Sequence, residues 1–130
     1  MQLAWTIVYV ADVAASLDYF ERAFGLARGM LSPDGGFGTL CTGSTTLAFC
    51  DHATARDSVG CDYVVAADSP RPLGMEIGLA TEDVAAALAR ALAVGGTLLA
   101  QPVTKPWGQT VAYLRAPDGT LVELCTPMAA

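Results

Sequence analysis

Positive charge is scarce in this sequence: seven Lys and Arg stand against thirteen Asp and Glu, for a net charge of -6 over 130 residues. The seven (Arg22, Arg28, Arg56, Arg71, Arg90, Lys105 and Arg115) are scattered, whereas phosphate binding needs clustered cations, so a nucleic-acid partner is excluded. An acidic chain still favours cationic small molecules. No apolar run is long enough to cross a bilayer. The stretch from Leu3 to Val10 has no preceding basic residue and is interrupted at Asp12, so it reads as a strand and not a signal peptide. A cytoplasmic protein with no membrane partner is expected. Cys41, Cys50, Cys61 and Cys125 show no CxxC spacing, and in a reducing compartment they read as small apolar core residues.

Catalytic signatures are equally thin. His52 is the only histidine. Neutral imidazole serves as a general base or a metal ligand, but a histidine directly after a strand end reads as a surface loop residue. No Ser/His/Asp or Cys/His arrangement emerges from the spacing. "SPDGGFG" at 32 to 38 lacks the lysine and the helix of a phosphate loop, and its glycines fit a hairpin turn.

What the sequence does hold is an internal repeat. "VADVAASLDYFERAFGL" (10 to 26) matches "TEDVAAALARALAVGGT" (81 to 97) at an offset of 71 residues. In both copies an apolar strand leads to an aspartate, Asp12 or Asp83, placed to cap a helix. Val13, Leu17, Phe20 and Phe24 give the first helix one apolar face; Val84, Leu88, Ala91 and Leu92 give the second its own. Gly25 stops one helix, and Gly95 with Gly96 the other.

Short alternating runs separated by Gly, Pro, Asp and Ser follow each helix and predict strands over 28–31, 36–42 and 45–51, then 97–101, 109–115 and 120–126. Each half is βαβββ. The chain reads as a single α+β domain with an N-terminal module over 1–51, a connector over 52–72 and a C-terminal module over 73–130. The connector carries no clear periodicity, with a short strand expected near Tyr63 to Val65.

The paired βαβββ modules, the "VADVAASLDYFERAFGL" opening and the "APDGTLVEL" ending resemble the vicinal oxygen chelate superfamily of glyoxalases, bleomycin-resistance proteins and dioxygenases. The resemblance implies a curled mixed sheet, a cup, with helices outside and the site on the concave face. In the family's metal-binding members a His or Gln seven residues before each capping aspartate, and a Glu on the last strand of each half, ligate the ion. The matching positions here are Trp5, Ala48, Glu76 and Glu123. Trp and Ala have no lone pair to give, and two carboxylates alone make a weak, oxygen-only site. No cofactor is therefore expected, the alternative being a divalent ion at Glu76 and Glu123.

A carboxylate between Val122 and Leu124 needs an explanation, because burying one without a partner is costly. Strand alternation offers it: if Trp5 faces inward, so do Ile7 and Tyr9, and Gly78 goes with Glu76, Leu121 with Glu123. Val8, Val10, Ile77, Leu79, Val122 and Leu124 then face the helices. Glu76 and Glu123 become the polar anchors of an otherwise apolar pocket or, as structural residues, are hydrogen-bonded within the cup or wet at its mouth. In "KPWGQTVAY", Trp107 offers core filler or a flat stacking wall, with Tyr113 beyond it. The resemblance favours the wall, since a similar Trp-Gly-Gln occurs in the bleomycin-resistance branch, whose members bind planar antibiotics without covalent chemistry. Expected ligand-binding residues are Trp5, Ile7, Tyr9, Ala48, Glu76, Gly78, Trp107, Tyr113, Leu121 and Glu123. The function read from them is metal-independent binding of a planar or cationic compound such as an antibiotic, by a homodimer. The alternative is a metal-dependent lyase, isomerase or dioxygenase of the same superfamily, with a metal-free enzyme using Glu123 or Glu76 as general base as a third.

Overall fold

The structure is a computed structural model that describes residues 1–128. It repeats one pattern. β1 (Trp5–Val10), α1 (Val13–Phe24), β2 (Arg28–Leu31), β3 (Phe37–Leu40) and β4 (Thr46–Asp51) form the first half. After α2 (His52–Val59) come β5 (Glu76–Ala80), α3 (Val84–Ala93), β6 (Thr97–Thr104), β7 (Thr110–Arg115) and β8 (Leu121–Cys125). Each half folds into a four-stranded mixed sheet, ordered β1-β4-β3-β2 and β5-β8-β7-β6, whose first and last strands pair in parallel. The two βαβββ modules are therefore present as expected.

Capping follows the repeat. Asp12 accepts a hydrogen bond from the Ala15 amide at 3.0 Å and Asp83 one from Ala86 at 2.9 Å, each satisfying a free helix donor. Gly25 closes α1 at φ 68°, where a side chain would be strained.

Both long helices lie against the same side of their sheets and against each other. Alternation sends Val10, Val122 and Leu124 into this core, all at most 1% exposed, while Trp5 and Glu76 on the same face-alternating strands remain exposed. Large meets small at the helix contact. Phe20 packs its ring within 5.2 Å of Phe24 and 5.1 Å of Phe49, and α3 presents Ala87, Leu88 and Ala91. Two hydrogen bonds fix the helix pair: the Tyr19 hydroxyl donates to the Ala91 carbonyl at 3.0 Å, and Arg90 Nε to the Ala23 carbonyl at 3.0 Å. A third link joins α1 to the β7–β8 turn, where Ser16 Oγ donates to Asp118 Oδ2 at 2.7 Å. The other Asp118 oxygen accepts from the Thr120 amide and hydroxyl, so the aspartate of "PDG" locks the turn as well as the halves.

The connector differs from the reading of the sequence. It begins with α2, capped by Asp51, which accepts from the Thr54 amide at 2.8 Å, and ended by Gly60 at φ 79°. No strand forms near Tyr63 to Val65; a 3-10 turn at Ala66–Asp68 comes after them instead. The helix is eight residues long with only Ala55 buried, so its end caps marked it better than any apolar face. Arg115 pins the 3-10 turn and the residue after it, its Nη2 donating to the Ala66 carbonyl at 2.6 Å and the Ser69 carbonyl at 2.8 Å. Two cysteines also depart from the expectation. Cys50 is buried and Cys125 half-buried, but Cys41 and Cys61 are exposed, one just past the end of β3 and the other past the end of α2.

Candidate functional site

The face turned away from the helices differs between the halves. On the second sheet, register places Glu123 opposite Gly78 of β5 and Tyr113 of β7, and Glu76 opposite Leu121 of β8. Glu76 and Glu123 are thus diagonal neighbours on one face. A hydrogen bond with Glu76 is the largest influence on Glu123; with burial and the negative charge of Glu76 added, it pushes the Glu123 carboxyl up to about 7. Lys105 pulls the other way, by less. Glu123 therefore holds its proton well above the usual carboxylate range, beside Glu76 on the same face. Burial, then the charges of Glu123 and Glu76, push the neighbouring Tyr113 hydroxyl and Cys125 thiol up as well, which keeps both protonated and the thiol unreactive.

On the first sheet the matching face is aromatic. Trp5 on β1 lies opposite Thr46, Phe37 on β3 opposite Cys50, and Ala48 sits between them on β4. The Trp5 and Phe37 rings meet edge-on, centroids 6.0 Å apart and planes at 67°, so their contact passes over Ala48, which is fully buried. Ala48 therefore offers no open surface, while Trp5 keeps half of its own exposed.

The positions a metal would need in this fold do not fit one. Glu76 and Glu123 supply oxygen donors, Trp5 and Ala48 supply none, and the covering rings leave no route for a donor from β4. Among the described residues, no group of three or more His, Cys, Asp or Glu is placed to hold an ion.

The remaining expected site residues fall into two places. Ile7, Tyr9 and Leu121 line a cavity where edge strand β1 approaches β5 and β8, while Glu76 and Gly78 border a second hollow with Thr6, Thr42 and Thr45. Trp107 occupies the β6–β7 turn, 63% exposed, its Nε1 donating to Gln109 Oε1 at 2.9 Å. It borders neither of these hollows.

Residues 2–124 match the family model for the glyoxalase/bleomycin resistance protein/dioxygenase superfamily. The chain belongs to that superfamily. No curated protein matches it. Among solved structures it is similar to a glyoxalase-related enzyme from Fulvimarina pelagi, at 23% identity and TM-score 0.84 over 98% of this chain and 88% of that one. A glyoxalase/bleomycin resistance protein/dioxygenase family enzyme from Burkholderia phytofirmans PsJN is similar at 20% identity and TM-score 0.79, over 97% of this chain and 98% of that one. TioX from Micromonospora sp. ML1 has 20% identity and TM-score 0.68 over the same shares. Likeness at these identities is a likeness of fold. Within the superfamily, then, this chain combines one acidic and one aromatic concave face.

Sequence reasoning passed over Phe37 and Tyr63 beside these faces and read His52 as a surface loop residue, whereas it begins α2 and is half-buried. Phe37 comes directly after two glycines that read as turn. Tyr63 and His52 lie in the connector, where the His52 Nδ1 and the Tyr63 hydroxyl share a hydrogen bond of 2.5 Å and the Tyr63 ring stands 4.9 Å from Tyr9. His52 is therefore held in place at the start of α2. Pairing Phe37 with Cys50 would have located the first; nothing in the local pattern points to the other two.

Proposed function

We propose that this superfamily member is a metal-independent small-molecule binding protein of the bleomycin-resistance kind, sequestering a planar cationic compound. The observation that carries the reading is the register that sets Glu76 and Glu123 diagonally on one face, Glu76 exposed and Glu123 half-buried, where among the described residues Lys105 is the one cation acting on Glu123. A ligand ammonium or amidinium replaces the Glu123 proton and gains charge-assisted hydrogen bonds to the two side chains. Binding therefore releases a proton and tightens as pH rises through about 7. A metal-dependent lyase, isomerase or dioxygenase would have to work with two oxygen donors where the resemblance implies four ligands, so it stands second.

Proflavine, a planar cation, tests this. It is expected to quench tryptophan fluorescence saturably, more tightly at pH 8 than at pH 6, and Glu123→Gln is expected to weaken binding by about 1 to 3 kcal/mol. Unchanged fluorescence, or a Glu123→Gln variant that binds as tightly as the parent, would sink the proposal.

The protein is also proposed to act as a homodimer. Both outer edge strands are uncovered: β2 is exposed throughout, with Met30 at 50%, and β6 exposes Leu99 at 44% and Val103 at 52%. Unpaired edges with apolar side chains favour cover by a second copy. Sedimentation at micromolar concentration should give twice the chain mass; a monomer would refute the dimer without touching the binding test.

A further inference from the structure

The cavity between the two sheets is a different kind of site. It measures about 160 Å³ and is walled by Ile7 and Tyr9 of β1, Tyr63 of the connector, and Leu73, Met75 and Leu121 of the C-terminal module. Among the described residues no charged side chain lines it, and its one threonine, Thr120, already donates its hydroxyl to Asp118. We propose that this cavity binds a neutral, single-ring aromatic molecule, at a site separate from the carboxyl pair.

Size, lining and rigidity converge on that class. An enclosed apolar cavity of about 150 Å³ takes up benzene, so a hollow of this volume has room for one ring. Tyr9 and Tyr63 stand 4.9 Å apart with planes at 52°, a tilted pair whose exposed edges and faces suit a third ring. A cation is disfavoured, since losing its water would be offset by no lining carboxylate.

The walls are also fixed before any ligand arrives. His52 holds the Tyr63 hydroxyl, and the Arg56 guanidinium lies 5.2 Å from the Tyr63 ring centroid, itself held by Asp62 at 2.9 Å. Arg115 ties the connector down through Ala66 and Ser69. Gly119 fits beneath the same turn so closely that a Cβ there would lie 2.4 Å from the Ala66 carbonyl carbon, and at φ 93° only glycine is at ease. A preformed hollow loses less freedom on binding than one that must open. The cavity shares Ile7, Tyr9 and Leu121 with the expected ligand-binding residues, but neither Glu76, Glu123 nor either tryptophan lines it.

Benzene is the probe, followed in methyl NMR spectra of the full chain. Saturable shifts are expected at the methyls of Ile7, Leu73, Met75 and Leu121. Leu73→Trp, which fills the hollow, and Tyr63→Ala, which removes a wall, should each weaken binding about tenfold or more, with core methyls such as Leu17 and Leu114 reporting that the variants remain folded. Proflavine added to the benzene-saturated protein should leave benzene in place. Shifts that stay linear to the solubility limit, or that neither variant alters, would overturn the proposal. So would displacement of benzene by proflavine, which would merge the two sites, or the same methyls moving on dilution of ligand-free protein, which would seat a second copy there. Should proflavine fail to bind at all, the carboxyl-pair reading falls and the benzene result stands by itself.

Discussion

The two halves share strand order, parallel pair and helix cap, yet they carry opposite chemistry on the face away from the helices. The first half covers Ala48 with Trp5 and Phe37; the second sets an exposed Glu76 beside a half-buried Glu123. On the helix side they also differ, but there the difference is matched: α1 brings the rings of Tyr19, Phe20 and Phe24 to the shared core and α3 brings the small Ala87 and Ala91, with the Tyr19 hydroxyl on the Ala91 carbonyl. Close packing forces that match, because volume added on one helix must be removed from its neighbour. No such constraint links the two outer faces, since among the described residues the sheets exchange no ladder hydrogen bonds across β1 and β5. A duplicated backbone can therefore diverge where it meets ligand while its buried side stays complementary.

The largest expected effect tests the matched side. Phe20 is fully buried and touches Tyr19, Phe24 and Phe49 with its ring. Phe20→Ala leaves a cavity at the centre of the core that both halves share, so urea unfolding should show a loss of about 3 to 5 kcal/mol. A loss below about 1 kcal/mol would mean that the halves are not held by complementary volumes and would undo the comparison.

Much of this architecture was legible in the sequence because it rests on local rules. Asp12 and Asp83 before apolar periodicity, glycines after it, and period-2 runs between turn residues suffice for both modules. The same alternation that sends Val122 and Leu124 inward puts Glu123 outward, without knowledge of the fold's shape. What was not legible depends on contacts between distant segments. α2 is short and nearly all exposed, so periodicity could not announce it. The covering of Ala48 needs the register of β1, β4 and β3 together. The walls of the seam cavity come from β1, β5, β8 and the connector, and Trp107 sits in a turn held by Gln109 and not beside the hollow that Glu76 borders.

The smallest expected effect tests the unmatched side through pH. Glu123 has its carboxyl raised to about 7 by its hydrogen bond to Glu76, by burial and by that neighbour's charge, against an ordinary value of 4.5. The folded state therefore holds this proton more tightly than the unfolded chain does. Its contribution is fully present below about pH 4.5 and is lost as pH rises to about 7, above which it stays flat. Other carboxylates act in the opposite sense. Hydrogen bonds from the Gly36 amide and the Thr54 side chain hold Asp34 and Asp51 below the usual carboxylate range, so what they contribute is present at neutral pH and disappears in acid. A stability curve of the parent alone mixes the two arms. The difference between parent and Glu123→Gln isolates the upper one: urea unfolding at pH 5, 6, 7 and 8 should show the parent losing ground to the variant up to about pH 7, with a slope below a single proton because the pair is partly open to solvent. A pH-independent difference would show that Glu123 titrates as an ordinary solvated carboxylate, and the contrast between an acidic and an aromatic face would then be one of composition alone.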